Sequence, residues 1–93
     1  MPMHYEEIGV VETFIEKLGV VGVRLGETLN RGERIGFELR VEFHEESADS
    51  MQLDNRDVDS APPGSLIGIR VSLTKAEARE GVRVFRVRPP AAG

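Results

Sequence analysis

The chain has 93 residues, of which 40% are hydrophobic and 30% are charged, and its formal net charge at pH 7 is −4. These values predict one globular domain with a single modest core and argue against global disorder. The negative charge disfavours nonspecific binding to nucleic acid or anionic lipid, and the absence of cysteine excludes disulfides and thiolate metal sites.

Residues 1–7 are predicted to form a flexible polar lead-in. This segment lacks the basic region and the apolar core of a signal peptide, and no apolar run reaches the roughly 20 residues that cross a bilayer. We therefore expect a cytoplasmic protein with no membrane partner. A free amine on Pro2 would let His4 help to chelate Cu(II) or Ni(II), but we expect a frayed terminus and no metal site.

A β-hairpin is predicted next, with strands near Ile8–Ile15 and Val20–Leu25. The turn between them ends in Gly19, and glycine accepts the positive φ that such turns need. In the second strand, Val21 and Val23 alternate with other residues, which is typical of a strand with one buried face.

The first strand of this hairpin has apolar residues on both faces. Because Glu12 must meet water, we expect the face that carries Val11 to be buried. Val10 and Phe14 would then lie on an exposed apolar surface. They are the predicted protein-binding residues.

After the hairpin, residues 26–32 are predicted to form a broad loop in which Leu29 packs onto the core. A strand follows near Arg34–Glu38. A longer strand is expected over residues 41–54, but its alternation of apolar residues breaks. A β-bulge or bend that turns Ala48 inward would restore the pattern.

The second half of the chain begins with a turn-rich loop at residues 54–64. A strand near Leu66–Ser72, one or two helical turns within Thr74–Glu80 and a last strand near Val82–Val87 are predicted to follow. The predicted core contains Val11, Val21, Val23, Ile35, Ile67, Ile69 and Val71.

Together these elements predict an all-β domain over residues 8–88, with residues 89–93 as a disordered tail. We expect a closed antiparallel β-barrel of six to seven strands with at most one short helical turn. Closure of the sheet would remove its exposed edges and enclose one core.

Five runs of the sequence follow the order and spacing of a known β-barrel family: residues 8–11, 19–25, 29–35, 50–53 and 63–69. In this respect the chain resembles the second, β-barrel domain of translation GTPases such as elongation factor Tu. It is more similar still to the small stand-alone translation elongation factor-like proteins of prokaryotes. The resemblance implies a translation-factor barrel, which in the full-length factors contacts aminoacyl-tRNA or the ribosome. The chain has no P-loop motif, so we expect no nucleotide binding, and no tRNA-binding residue is transferred.

No motif predicts catalysis, a cofactor or a metal site. His44 and Glu45 begin like a zinc-protease helix, but Ala48 stands where the second histidine is needed. The acidic residues 54, 57 and 59 do not have the spacing of a calcium loop. No serine lies in a G-x-S-x-G elbow. We therefore expect a non-catalytic protein.

Two binding functions remain open, a protein-interaction module and an RNA- or ribosome-associated module. The second would use a basic strip, because arginine binds phosphate bidentately. The candidate nucleic-acid-binding residues are Lys17, Arg24, Arg31, Arg34 and Arg70. Aromatic residues that would stack on bases are scarce, so we rank RNA below a protein partner.

Charge is unevenly distributed along the chain. Seven acidic residues lie between Glu42 and Asp59, and four arginines lie from Arg79 onward. If the last strand runs beside the acidic block, we expect the two blocks to neutralise each other in part.

Overall fold

The computed structural model describes residues 3–89 and contains strands but no helix in that range. The all-β prediction is therefore confirmed. The ten strands are β1 (His4–Ile15), β2 (Val20–Leu25), β3 (Leu29–Asn30), β4 (Arg34–Glu38), β5 (Phe43–Ser47), β6 (Met51–Leu53), β7 (Arg56–Asp57), β8 (Ser60–Ala61), β9 (Leu66–Arg70) and β10 (Arg83–Arg88). Except for Pro89, the predicted disordered tail lies outside the described residues.

Eight strands form one antiparallel sheet in the order β5-β4-β10-β1-β2-β9-β6-β7, and β3 pairs with β8. In a flat sheet, the six spacings between β5 and β6 would separate these strands by roughly 29 Å. Only residues 48–50 connect them, and this segment reaches about 14 Å at most. The sheet must therefore be strongly rolled.

The rolled sheet does not form the closed barrel of six to seven strands that we predicted. Within residues 3–89, no ladder joins β5 to β7, the two edges of the sheet. The strand predicted over residues 41–54 is broken at residues 48–50, between β5 and β6. Ala48 still exchanges backbone hydrogen bonds with Gly32 and Glu33, and its side chain is fully buried in the core. The predicted bend is therefore present, and it replaces one long strand by two short ones.

The core lies inside the roll and contains every residue predicted for it. Six of the seven are at most 1% exposed, and Val71 is 9% exposed. Leu29 is also fully buried, as expected for a loop residue that packs onto the core. The strand phases read from the alternation pattern are thus confirmed for β2, β4 and β9.

Strand β1 differs from its prediction at its start and in its register with β2. It begins at His4, and residues 4–7, expected to be a lead-in, pair with Phe85–Arg88 of β10. Further along, the register with β2 shifts between Val11 and Thr13. This β-bulge places two consecutive residues on the outside, so the next apolar residue, Phe14, turns back toward the core.

The predicted helical turn near residue 74 is a single hydrogen-bonded turn without a helix. Ala78 N donates to Thr74 O at 2.9 Å. The Thr74 and Glu77 side chains each accept a hydrogen bond from the other residue's backbone N–H, which is the capping-box arrangement. Gly81 follows with a φ of 92° and ends the turn.

Candidate binding surface

Three aromatic rings gather on the outer face of the sheet, on strands β1, β5 and β10. The centroids of Tyr5 and Phe43 are 5.1 Å apart in an edge-to-face arrangement, and those of Phe43 and Phe85 are 5.8 Å apart. The chain has only five aromatic residues of the Phe, Tyr and Trp types. Most of its aromatic surface is therefore concentrated in this cluster, which we call the aromatic face.

A glycine in β4 gives the aromatic face its shape. Gly36 pairs with Phe85 on one side and with Glu45 on the other. The Phe43 ring lies across this glycine, so a Cβ at position 36 would stand 2.2 Å from the ring. The missing side chain thus lets the ring lie flat against the backbone, as in aromatic rescue of glycine in sheets.

Charged side chains surround the aromatic face. Arg83 lies 5.4 Å from the centroid of Phe85 and donates two hydrogen bonds of 2.9 Å to the carboxylate of Glu38. It also donates to Glu7 at 3.2 Å, and Arg34 donates to Glu45 at 2.9 Å. Three carboxylates therefore face two guanidinium groups, and the rim has one net negative charge.

The rings and two of these carboxylates line a shallow depression of about 400 Å³. Its lining residues are Tyr5, Glu38, Phe43, Glu45 and Phe85. Tyr5 is 52% exposed, although its ring contacts another ring. The depression therefore has aromatic walls and a charged rim.

The predicted protein-binding residues, Val10 and Phe14, do not form an exposed face. Each is half-buried, and Phe14 packs against the core because of the β-bulge in β1. The exposed apolar residues at that end of the sheet are Ile15, Leu18 and Leu66. The aromatic face was missed because its rings come from strands far apart in sequence, and no local pattern links them.

The residues of the predicted basic strip do not lie together, and three of the five form ion pairs with carboxylates. Arg24 donates to Glu12 at 2.9 Å, and Arg31 lies 2.8 Å from Asp59. Arg34 pairs with Glu45, as described above. The other two predicted residues, Lys17 and Arg70, are exposed and form no ion pair within residues 3–89. Strands β10 and β1 separate β4 from β2, so the five cations do not form one strip.

The ion pair between Arg24 and Glu12 leads to a pH prediction. The hydrogen bond and the charge of Arg24 lower the pKa of Glu12 below its ordinary value of 4.5. A carboxyl group with a lowered pKa stabilises the fold above its unfolded-state pKa, and that contribution is lost as the pH falls through the lowered value. Arg24 also donates to the carbonyl of Gly64 at 3.1 Å, a contact that does not depend on the charge of Glu12. We therefore expect the stability difference between Arg24→Gln and the wild type to be smaller at about pH 2 than at about pH 7.

Urea unfolding at both pH values measures this difference. Arg40→Gln is the matched control, because Arg40 is exposed and belongs to no ion pair in the described part of the chain. A difference between Arg24→Gln and the wild type that is equally large at both pH values would contradict a role for Glu12 ionisation.

The residues considered for catalysis and for metal binding contact near neighbours in the sheet and its turns. His44 Nε2 lies 2.6 Å from Glu46 Oε2, and the same oxygen accepts a hydrogen bond from Ser72 N. Asp54 and Asn55 both have positive φ and make the two-residue turn between β6 and β7. Between residues 3 and 89, no group of three or more His, Asp or Glu side chains is placed to hold a metal ion.

Within residues 3–89, the acidic block and the C-terminal arginine block form ion pairs with other parts of the chain and not with each other. In the C-terminal block, Arg83 pairs with Glu7 and Glu38, and Arg86 pairs with Glu6 and Glu33. In the acidic block, Asp59 and Glu45 pair with arginines of the first half of the chain.

Over the described range, no helix is long and apolar enough to span a membrane.

These features define a rolled antiparallel β-domain with an aromatic face on its outer surface. Its fold is similar to that of the C-terminal domain of a Geobacillus thermoleovorans "putative U32 peptidase", with a TM-score of 0.73 at 15% identity, over 89% of this chain and 92% of that one. The selenomethionine variant of the same domain matches with a TM-score of 0.72 at 15% identity, over 87% and 98%. No protein-family model and no curated protein matches the chain in sequence.

This finding overturns the resemblance to translation factors. The matching fold is the peptidase C-terminal domain, not the second domain of elongation factor Tu, so the translation-factor assignment was wrong. The sequence runs that suggested it are turns joined to alternating apolar residues, and many rolled β-sheets need the same pattern.

Proposed function

We propose that this protein is a non-catalytic protein-binding module and that the aromatic face is its contact surface. One observation carries the proposal: three of the five aromatic residues meet on the outside of the sheet, away from the core. Tyr5 is 52% exposed, and Phe43 and Phe85 are half-buried. A partner that covered the cluster would bury the aromatic surface that remains exposed, which is favourable.

The geometry supports this use. Aromatic and arginine side chains contribute most of the binding energy in protein interfaces, and the aromatic face has both, with Arg83 placed beside Phe85. The Phe43 ring packs over the backbone of Gly36, and this contact orders the ring before a partner binds. A ring that is already ordered loses little conformational entropy when a partner covers it.

The structural similarity is consistent with the proposal. The similar domain is described as the C-terminal domain of a putative U32 peptidase, and is thus one part of a larger protein. At 15% identity this likeness concerns the fold alone. By analogy, we assign an accessory binding role to this chain and no peptidase activity.

The alternative, an RNA- or ribosome-associated module, has less support. Three of its five candidate cations are paired with carboxylates. A cation that already has a partner must exchange it before it can bind phosphate, which reduces the gain. The aromatic face also has more carboxylates than guanidinium groups at its rim, and these repel a polyanion.

Selection from a phage-displayed random peptide library tests the proposal. We expect peptides that bind the wild type to bind Phe43→Ser and Tyr5→Ser at least about tenfold more weakly, because an interface anchor is worth about 2 kcal/mol or more. Leu18→Ser is the matched control, since Leu18 is an exposed apolar residue of the first hairpin. Thermal unfolding of each variant verifies that it is folded.

Three outcomes would contradict the proposal. The first is that no peptide is enriched over a blank surface, and the second is that the enriched peptides bind Phe43→Ser and Tyr5→Ser as well as the wild type. Loss of binding in Leu18→Ser alone would move the contact surface to the first hairpin. If the protein instead bound tRNA with an affinity that falls steeply with salt, the RNA alternative would replace the proposal.

A further inference from the structure

The aromatic face contains more than apolar surface, because carboxylates lie inside its depression. Glu38 and Glu45 are both lining residues, together with the three rings. Glu38 accepts hydrogen bonds from Arg83 on both oxygens, whereas Glu45 Oε2 accepts none among the described residues. A purely apolar partner would leave that oxygen without water, which is costly. An occupant that donates to Glu45 as well as contacting the rings avoids this cost.

We propose that the depression binds a basic side chain, an arginine or a lysine, of a partner protein. This inference rests on the proposed function and specifies the chemistry of the partner. A cation within about 6 Å of an aromatic ring is attracted to the face of the ring, and a carboxylate beside it adds a charge-assisted hydrogen bond. The depression provides both kinds of group.

The protein itself already shows this mode of binding. Arg83 lies over Phe85 at 5.4 Å and makes a bidentate pair with Glu38. A guanidinium group is thus held by one ring and one carboxylate at the edge of the same depression. The remaining rings, Tyr5 and Phe43, with Glu45 beside them, form a comparable set for a second cation.

Glu45 has room for another partner. It accepts one hydrogen bond, from Arg34 to Oε1, among the described residues. A carboxylate has about four acceptor positions on its two oxygens, so Oε2 remains for an incoming donor. The rim has one net negative charge even after its own arginines are counted, which favours a cation over an anion.

The test uses the only tyrosine of a chain that has no tryptophan, so tyrosine emission reports on the depression itself. The probes are the capped peptide acetyl-Ala-Arg-Ala-amide and the same peptide with citrulline, which keeps the shape of arginine but has no charge. We expect the arginine peptide to change Tyr5 emission and to bind about tenfold more tightly than the citrulline peptide.

Substitutions then show which carboxylates contribute to binding of the arginine peptide. Glu45→Gln and Glu38→Gln should each weaken the arginine peptide about threefold to tenfold, and both keep the size of the side chain. Glu16→Gln is the matched control, because it makes the same change in net charge at an exposed position in the first turn. Equal binding of the arginine and citrulline peptides would overturn the inference, and so would equal losses in all three variants.

The library selection separates the two proposals. If enriched peptides depend on Phe43 but contain no basic residue, the inference of a basic occupant fails and the proposed function stands. If no enriched peptide depends on Phe43, the proposed function fails. Enriched peptides that contain a basic residue and bind Glu45→Gln more weakly than Glu16→Gln support both.

Discussion

Ile69→Ala should lower the free energy of unfolding by about 2–5 kcal/mol. Ile69 is fully buried in β9, where it pairs with Val21 on one side and Met51 on the other. It therefore lies where β2 and β6 are joined through one strand, and its removal leaves a cavity that few neighbours can fill. Urea unfolding of the variant and the wild type measures the difference.

Ile15→Ala is the matched control for this prediction. It removes the same atoms from a residue that is 46% exposed at the end of β1. We expect a change within about 0.5 kcal/mol, the usual range for surface substitutions. A comparable loss at both positions would contradict the strand phase and the burial described for β9.

Arg86→Leu should lower the free energy of unfolding by about 3 kcal/mol, because it leaves carboxylates without their counter-charge. Arg86 is 7% exposed and is the only buried charged residue between residues 3 and 89. Its guanidinium donates to Glu6 and to the carbonyl of Thr28, and its Nε lies 2.9 Å from Glu33, outside hydrogen-bond direction. It thus ties β1 to the chain before and after β3.

Glu33 makes this loss larger than that of an ordinary surface ion pair. Its side chain is 23% exposed, and its other oxygen accepts a hydrogen bond from Asn30 N at 2.8 Å. Removal of the arginine therefore weakens the turn that leads into β4. The predicted loss of about 3 kcal/mol is near the lower end of the range for broken buried ion pairs, because the other carboxylate, Glu6, is 51% exposed.

Arg88→Leu is the control, because Arg88 lies two residues further along β10 and is exposed. We expect it to stay within about 0.5 kcal/mol of the wild type. Arg86→Lys keeps the charge but not the planar guanidinium group. Its loss of unfolding free energy should therefore lie between those of Arg86→Leu and Arg88→Leu. A loss for Arg86→Leu no larger than that for Arg88→Leu would show that the network does not stabilise the fold.

The aromatic face, which we propose as the binding surface, could not be predicted from the sequence for a physical reason. Tyr5, Phe43 and Phe85 lie on β1, β5 and β10, which the sheet order β5-β4-β10-β1 brings within four adjacent positions. Local periodicity tells which side of a strand is apolar, but not which strands are adjacent. Phe14, which was expected to be exposed, packs against the core for a related reason, since a single extra residue in β1 reverses the alternation.

The all-β class, part of the core and several turns could be predicted from the sequence alone. Alternation with a period of two, as in Val21 and Val23, depends only on neighbours along one strand, and turn residues such as Gly19 and Gly81 set their own φ. The tertiary structure alone decided strand order, the open edges of the roll and the pairing of charges. These depend on contacts between residues distant in sequence, such as Arg86 with Glu6, whose side chains act across the sheet and leave no local pattern.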